Sequence, residues 1–399
     1  MTGLAAFAAF FAAPFGPSQG LADLTPSPIA FAPWREVDRD DTIAEYVEEF
    51  PSAFVSGIVE NDTVPLRILV PQNASGPVPV VLITHYWGAS DLRGERALAE
   101  DLVGRGVAAA IMTLPYHLSR TPKGRRSGEL AIVPDPIKLR TTLTQAVLDV
   151  RRSLDFLDSR PEFTKAPRGL AGTSLGALVT ALGYATDPRV THAAFILGGV
   201  DFAGILWNSS RVVLQRDSLR RQGYTESRMR TELAPVEPLT YLPREAPGTT
   251  FVVSAKYDTV VPGANSAALI QALGEPRRLQ IDTGHYGGIF VQRKVLREVA
   301  RFFGAEMTGT AYVPPGRLVA PTLRIGLLSN IPNGFDLGAG IDVFHLDPRG
   351  TTFGSLLLTA RGPQLFLGRN LFQGLAIGAI GSFGGRSRLG IGAFWSAVL

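Results

Sequence analysis

The chain has 399 residues, no cysteine and a formal net charge of +4 at pH 7. The lack of cysteine excludes disulfides, thiol catalysis and Cys-ligated zinc. A charge this mild, with no Lys/Arg run, argues against a nucleic-acid partner. At 45% hydrophobic and 19% charged, the composition is that of a cored globular protein, and the length suggests two domains or one large domain with an appendage.

Residues 1–21 contain the apolar block GLAAFAAFFAAPF (3–15), followed by Pro17, Ser18 and Gly20. It resembles the hydrophobic part of a signal peptide, although no basic residue precedes it and no clean A-x-A site follows. This predicts export to the periplasm or outer membrane, with the cytoplasm as the alternative. The block is too short to span a bilayer as a helix. Residues 22–50 form a polar, Pro-containing lead-in.

Residues 51–306 alternate strand-like and helix-like segments. AFVSGIVEN and PLRILVP read as a hairpin pair. VPVVLITH (78–85) and VAAAIMTL (107–114) are continuous apolar runs of strand length, as buried parallel strands should be. The helical DLRGERALAEDLVGRG lies between them. Residues 141–160 form an amphipathic helix, with Leu143, Val147, Val150, Leu154 and Leu157 on one face. Strands at 168–172, 193–198, 250–254 and 278–281 follow, with helices from Leu175, near 263–273 and at 290–303. This repeated alternation predicts an α/β layer with a mostly parallel sheet. Residues 202–247 interrupt it as two or three inserted helices, a cap above the sheet.

Parallel sheets present ligands at the carboxyl ends of their strands, and the chemistry-bearing residues cluster at such ends. Ser174 sits in Gly172-Thr173-Ser174-Leu175-Gly176, between a strand and a helix. In a tight strand-turn-helix elbow the residues two positions either side must be small, which the glycines satisfy. The helix N-terminus favours a developing anion there, and the Leu175 N–H becomes an oxyanion donor. In a chain with 43 glycines such a pentapeptide can arise by chance, so its partners carry the argument. Of the five histidines His85, His117, His192, His285 and His345, His285 follows a short strand in a glycine-bordered loop and is the candidate base. Asp258, just past the strand FVVSA, is the favoured acid to orient it. Asp282, three residues before His285, is the rival.

The stretches HYWG (85–88), GTSLG (172–176), KYDTVVP (256–262) and TGHYGG (283–288), with the order Ser174, Asp258, His285, resemble the α/β-hydrolase superfamily over residues 51–306. They look most like its bacterial esterase, dienelactone-hydrolase and acyl-peptidase members. The resemblance implies acyl transfer to water through an acyl-enzyme, with no metal and no organic cofactor. It also implies that the loop after the first parallel strand supplies the second oxyanion N–H. Tyr86 stands where glycine is usual, so Trp87 is the first choice of donor and Tyr86 the second. His85 braces that loop. The implied substrate is a small-molecule or lipid-like ester. The alternatives are a serine peptidase, and a membrane β-protein whose hydrolase-like domain only binds.

Two regions fall outside that logic. Arg211, Arg216, Arg220, Arg221, Arg228 and Arg230 crowd the cap, either as an anion-attracting lid or as solvated helix faces interleaved with acids. Residues 310–399 contain no lysine and form an antiparallel β domain. Phe335, Leu337, Ala339, Ile341 and Val343 share one face, and Asp336, Gly338, Gly340 and Asp342 the other. About six such strands occur over 322–399, separated by turns such as Pro332-Asn333-Gly334 and Pro348-Arg349-Gly350. Several are long enough for a tilted membrane strand, which predicts membrane contact, with a soluble sheet as the alternative. Six strands are too few for the usual membrane barrel, so closure is expected to need oligomerisation or more strands. His345 is expected to be structural. The oligomeric state is left open.

Overall fold

Small and branched apolar residues form the middle of the sheet, where only short side chains fit between two helical layers. The computed structural model describes residues 23–244, 247–320, 322–331, 334–346, 351–372, 374–383 and 388–398. The signal reading of residues 1–21 lies outside them, as do Pro332-Asn333 and Pro348-Arg349-Gly350.

In chain order the first part contains β1 (Arg35–Arg39), β2 (Ile43–Pro51), β3 (Thr63–Pro71), β4 (Val80–Thr84), α1 (Arg93–Val103), β5 (Ala108–Met112), α2 (Pro136–Asp158), β6 (Arg168–Thr173) and α3 (Leu175–Thr186). It continues with β7 (Val190–Ile196), α4 (Phe202–Asn208), α5 (Val213–Arg221), α6 (Glu226–Leu233), β8 (Thr249–Ala255), α7 (Gly263–Leu273), β9 (Arg277–Asp282), α8 (Gln292–Glu306) and β10 (Arg317–Val319). The ten strands make one sheet, ordered β1-β2-β3-β5-β4-β6-β7-β8-β9-β10. It is parallel from β5 to β10 and antiparallel among β1, β2, β3 and β5. Helices α2, α3 and α7 pack on one face through Val150, Leu154, Ala177, Val179 and Leu269. Helices α1 and α8 cover the other through Leu98, Leu102, Val295, Val299 and Phe303. The mostly parallel sheet, the helical insertion and the antiparallel C-terminal part all match the expected fold class.

Three local readings need correction. The partner of β3 is β2, not AFVSGIVEN. Residues 52–62 instead form a turn around the Asp62 carboxylate, which accepts from the Ser56 and Gly57 amides at 2.7 and 2.9 Å. The lead-in hides its strand because Glu45, Glu48 and Glu49 mask the apolar pattern. Glu45 is buried there but paired with Arg67 and Arg96. Helix α2 begins at Pro136 rather than Thr141, because Asp135 caps the Ile137 and Lys138 amides and proline suits the first helical position.

The third correction concerns the C-terminal strands. β11 (Thr322–Ile331), β12 (Gly334–His345), β13 (Thr352–Thr359), β14 (Gly362–Phe372), β15 (Leu375–Ser382) and β16 (Arg388–Val398) close on themselves as a six-stranded antiparallel barrel, β11 pairing with β16. No further strands are needed. Inward glycines make this possible: a Cβ at Gly340 would meet the Leu356 carbonyl, and one at Gly392 the Ser329 carbonyl. Phe353, Phe366 and Phe394 fill the narrow interior, each contributing about 1.5–3 kcal/mol by burial.

One buried ion pair ties the hydrolase-like part together. Asp149 of α2 accepts from Arg120 at 2.8 Å, from the Ser52 hydroxyl at 2.7 Å and from the Ala53 amide at 2.9 Å. Both charged side chains are buried. Asp149→Ala strands the Arg120 charge, so stability should fall by about 3–5 kcal/mol. Urea titration would detect this. A comparable loss on removing the more exposed Glu129 would contradict the special place given to Asp149.

Candidate active site

The elbow at Ser174 is built by backbone crowding. Ser174 joins β6 to α3 with φ 54° and ψ −114°, a conformation that L-residues rarely adopt. Its amide donates to the Ile196 carbonyl of β7 at 2.8 Å. Gly172 and Gly176 face each other so closely that a Cβ at Gly172 would enter the Gly176 carbonyl. A Cβ at Gly176 would meet the carbonyls of Thr84 and His85.

Three strand ends bring the expected partners to this turn. Ser174 Oγ lies 3.0 Å from His285 Nε2, and His285 Nδ1 lies 2.7 Å from Asp258 Oδ2. His285 and Asp258 are buried. The other oxygen of Asp258 accepts from the Val260 and Val261 amides at 2.9 and 2.8 Å, which fixes the carboxylate. Asp282 does not join this group. It is held by Arg317 and by Lys256, the latter at 3.6 Å. A hydroxyl placed this way can pass its proton to an imidazole whose opposite N–H is held by a carboxylate.

The HYWG turn follows β4, which lies beside β6. His85 Nδ1 is 2.8 Å from the Tyr86 carbonyl, and Nε2 accepts from the Leu114 amide at 3.0 Å. This pattern makes Nδ1 the protonated nitrogen. Burial pushes the His85 pKa down to about 3, helped by the neighbouring His117 and Arg120 charges. His85 is therefore a neutral brace. The Trp87 indole donates to the Gly128 carbonyl at 2.8 Å. Among the described residues the Tyr86 and Trp87 amides donate to no protein acceptor, and the Leu175 amide opens the first turn of α3, where no acceptor lies within the helix. These three N–H groups are the available anion donors. No three acidic or histidine side chains converge as a metal cage would require, among the described residues.

Helices α4 to α6 form the insertion after β7. Between α4 and helices α2 and α3 lies a cavity of about 80 Å³, lined by Leu175, Leu178, Phe202, Ile205, Leu206 and other apolar residues. Leu175, in its wall, directly follows Ser174. Most of the cap arginines are engaged within the cap. Arg216 donates to the Trp207 carbonyl at 3.1 Å, and Arg230 binds Asp201 at 2.8 Å. Arg220 and Arg228 lie over the Trp207 and Tyr224 rings. Arg221 is exposed. Arg211 lies 5.1 Å from the centre of the Trp87 ring.

Sequence reasoning missed two contributors. Glu237 is a half-buried residue whose carboxyl accepts from the Asp201, Phe202 and Leu239 amides and so pins the start of α4. Burial pushes its pKa up to about 7 against those donors. Its signal was Glu237-Pro238, an acidic residue before a proline-led turn. Tyr257, next to Asp258, stacks on His345 of the barrel at 4.2 Å, a contact no local pattern announces. His192 lies near the start of β7, at the opposite end of the sheet.

The buried histidines set a pH dependence. His117, 4.9 Å from the His85 ring, is pushed down to about 4 by burial. A folded-state pKa below the ordinary 6.5 means that the unfolded chain binds protons first. Stability from each group is present above pH 6.5 and lost as pH falls towards 4 and then 3, by at most about 1.4 kcal/mol per pH unit per histidine. Urea midpoints measured from pH 7 to pH 4 should fall, with a shallower slope in His117→Phe. An unchanged slope would remove His117 from the effect.

No family model matches this sequence, and comparison with curated proteins found no match. Solved structures do match its fold. An acetyl xylan esterase from Paenibacillus sp. R4 aligns at 19% identity with a TM-score of 0.52, covering 67% of this chain and 88% of that one. Acetyl xylan esterase 1 from Thermoanaerobacterium sp. JW/SL YS485 aligns at 16% identity with a TM-score of 0.51, covering 67% and 87%. At these identities the likeness establishes the fold alone. The chain has the α/β-hydrolase fold over about two thirds of its length, followed by a separate six-stranded β-barrel.

Proposed function

We propose that the protein is a serine hydrolase that cleaves ester-type acyl bonds through an acyl-enzyme. The observation that supports this best is the unbroken relay from Ser174 Oγ through His285 to Asp258, beside unpaired backbone N–H groups.

His285 takes the Ser174 proton as the oxygen attacks the carbonyl carbon. Asp258 holds the imidazole in the correct tautomer and stabilises the imidazolium. The Leu175 N–H and that of Trp87 or Tyr86 receive the developing oxyanion, where donors already in place are worth most. His285 then protonates the leaving alcohol, and in the second half-reaction activates the water that releases the acid. Each step uses groups of this chain and needs neither metal nor organic cofactor. The apolar cavity against Leu175 suits an apolar acyl group, which favours small-molecule or lipid-like esters over peptides.

A fluorophosphonate probe and p-nitrophenyl esters test this reading. Wild type should label and turn over ester, and Ser174→Ala should do neither. Asp258→Asn should lower kcat by about 10⁴-fold through the wrong tautomer, while Asp282→Asn stays near wild type. Equal labelling of Ser174→Ala would overturn the assignment. Preferential turnover of peptidyl anilides would make the protein a peptidase instead.

A further inference from the structure

The C-terminal barrel is apolar on its outer face as well as in its core, which Phe353, Phe366 and Phe394 fill. A barrel in water turns polar side chains outward and packs apolar ones within. Here each strand presents a large apolar residue to the outside: Leu327, Leu337, Leu358, Leu367, Ile377 and Ile391, between 42% and 72% exposed with the hydrolase domain in place. These six lie on six different strands, so the apolar surface runs round the whole girth.

The charges are elsewhere. Arg324 and Asp342 point into the barrel and pair at 2.7 Å, both side chains buried. Ser355 and Ser396 complete that cluster. Gln364 bonds Thr359 inside at 3.1 Å. Among the described strand residues of the barrel, Arg369 of β14 is the charged side chain that is exposed, opposite Thr352 on one side and Ile377 on the other. Exposed charge on the outer face of the described strands is thus sparse.

A continuous apolar girth of this extent marks an interaction surface. Its geometry selects the partner. A second copy or another protein covers one side of a cylinder, whereas hydrocarbon chains cover all of it. Closure leaves no unpaired strand edge, which is the condition for β-structure in hydrocarbon. The strands run from 8 to 12 residues, around the length of about 9–11 that a tilted membrane strand needs. Among the described residues no helix is long and apolar enough to cross a membrane. The stack of His345 on Tyr257 meets the hydrolase domain at a rim, the last residue of β12, and leaves the girth open.

We propose that the barrel of residues 322–398 seats in the acyl-chain region of a lipid bilayer and holds the hydrolase domain at the membrane surface. The exposed Trp395 is then a reporter of lipid contact.

The test uses the full-length protein, transferred from non-ionic detergent to vesicles of phosphatidylcholine and phosphatidylglycerol. Wild type should float with the vesicles in a density gradient and stay bound through a high-salt wash. Acyl chains carrying bromine should quench its tryptophan emission, and Trp395→Phe should remove most of that quenching. Leu337→Arg and Ile391→Arg should each lower the floating fraction by about tenfold or more, with hydrolysis of a water-soluble ester retained as evidence of folding. Ser174→Ala should float like wild type, so membrane seating and catalysis are judged separately. The proposal fails if active wild type stays in the dense fractions or is released by salt. It also fails if Trp395 is shielded without lipid in a detergent-free dimer, which would make a second copy the occupant.

Discussion

The close approach of two backbone segments governs this molecule. The carbonyls of Thr84 and His85, at the end of β4, occupy the space a side chain at Gly176 would need. Thr84 secures the contact, its hydroxyl reaching the Gly176 carbonyl at 3.0 Å and Thr180 at 3.2 Å. With the end of β4 drawn this close to the first turn of α3, the turn after β4 starts beside the elbow of Ser174. The unusual torsion angles of Ser174 follow from the same crowding, and the Ile196 carbonyl holds them in place.

The rest of the site is arranged around this contact in order of rigidity. Asp258 is held most firmly, with two backbone amides on one oxygen and the histidine on the other. The HYWG turn is held from behind by a neutral His85, whose two nitrogens are both engaged. The cap depends on Glu237, a carboxyl kept in an apolar setting by three amides. Each device satisfies a buried polar group with backbone rather than solvent, which preserves a low-dielectric site in which fixed donors act strongly.

Much of this was legible in the sequence because it rests on local rules. Continuous apolar runs gave the central strands, and glycine spacing around Ser174 pointed to the elbow. The structure brings Ser174, His285 and Asp258 within hydrogen-bonding distance, though they are far apart in the chain, because each ends or follows a parallel strand. What was not legible depended on pairing at a distance. The strand Ile43–Pro51 looked polar because its buried Glu45 is neutralised by Arg67 and Arg96 from other elements. Closure of six strands could not be foreseen from their alternation. It depends on glycines meeting carbonyls of neighbouring strands, and register is not written in one strand alone. Of the two readings of the cap arginines, the engagement of Arg216 and Arg230 inside the cap favours the one that interleaves them with acids.

The junction between the two parts has a mechanical meaning. Val319 of β10 is in register with Asp282 of β9, three residues before His285. Only Ala320 and Pro321 separate Val319 from Thr322, the first residue of the barrel. The barrel therefore follows a strand paired with the one that carries the histidine loop. Torque on the barrel reaches β9 through β10, and the Asp258 loop through the contact of His345 with Tyr257. Pulling on the C-terminus would load the base of the relay, so this tether works as a force-bearing path as well as a linker.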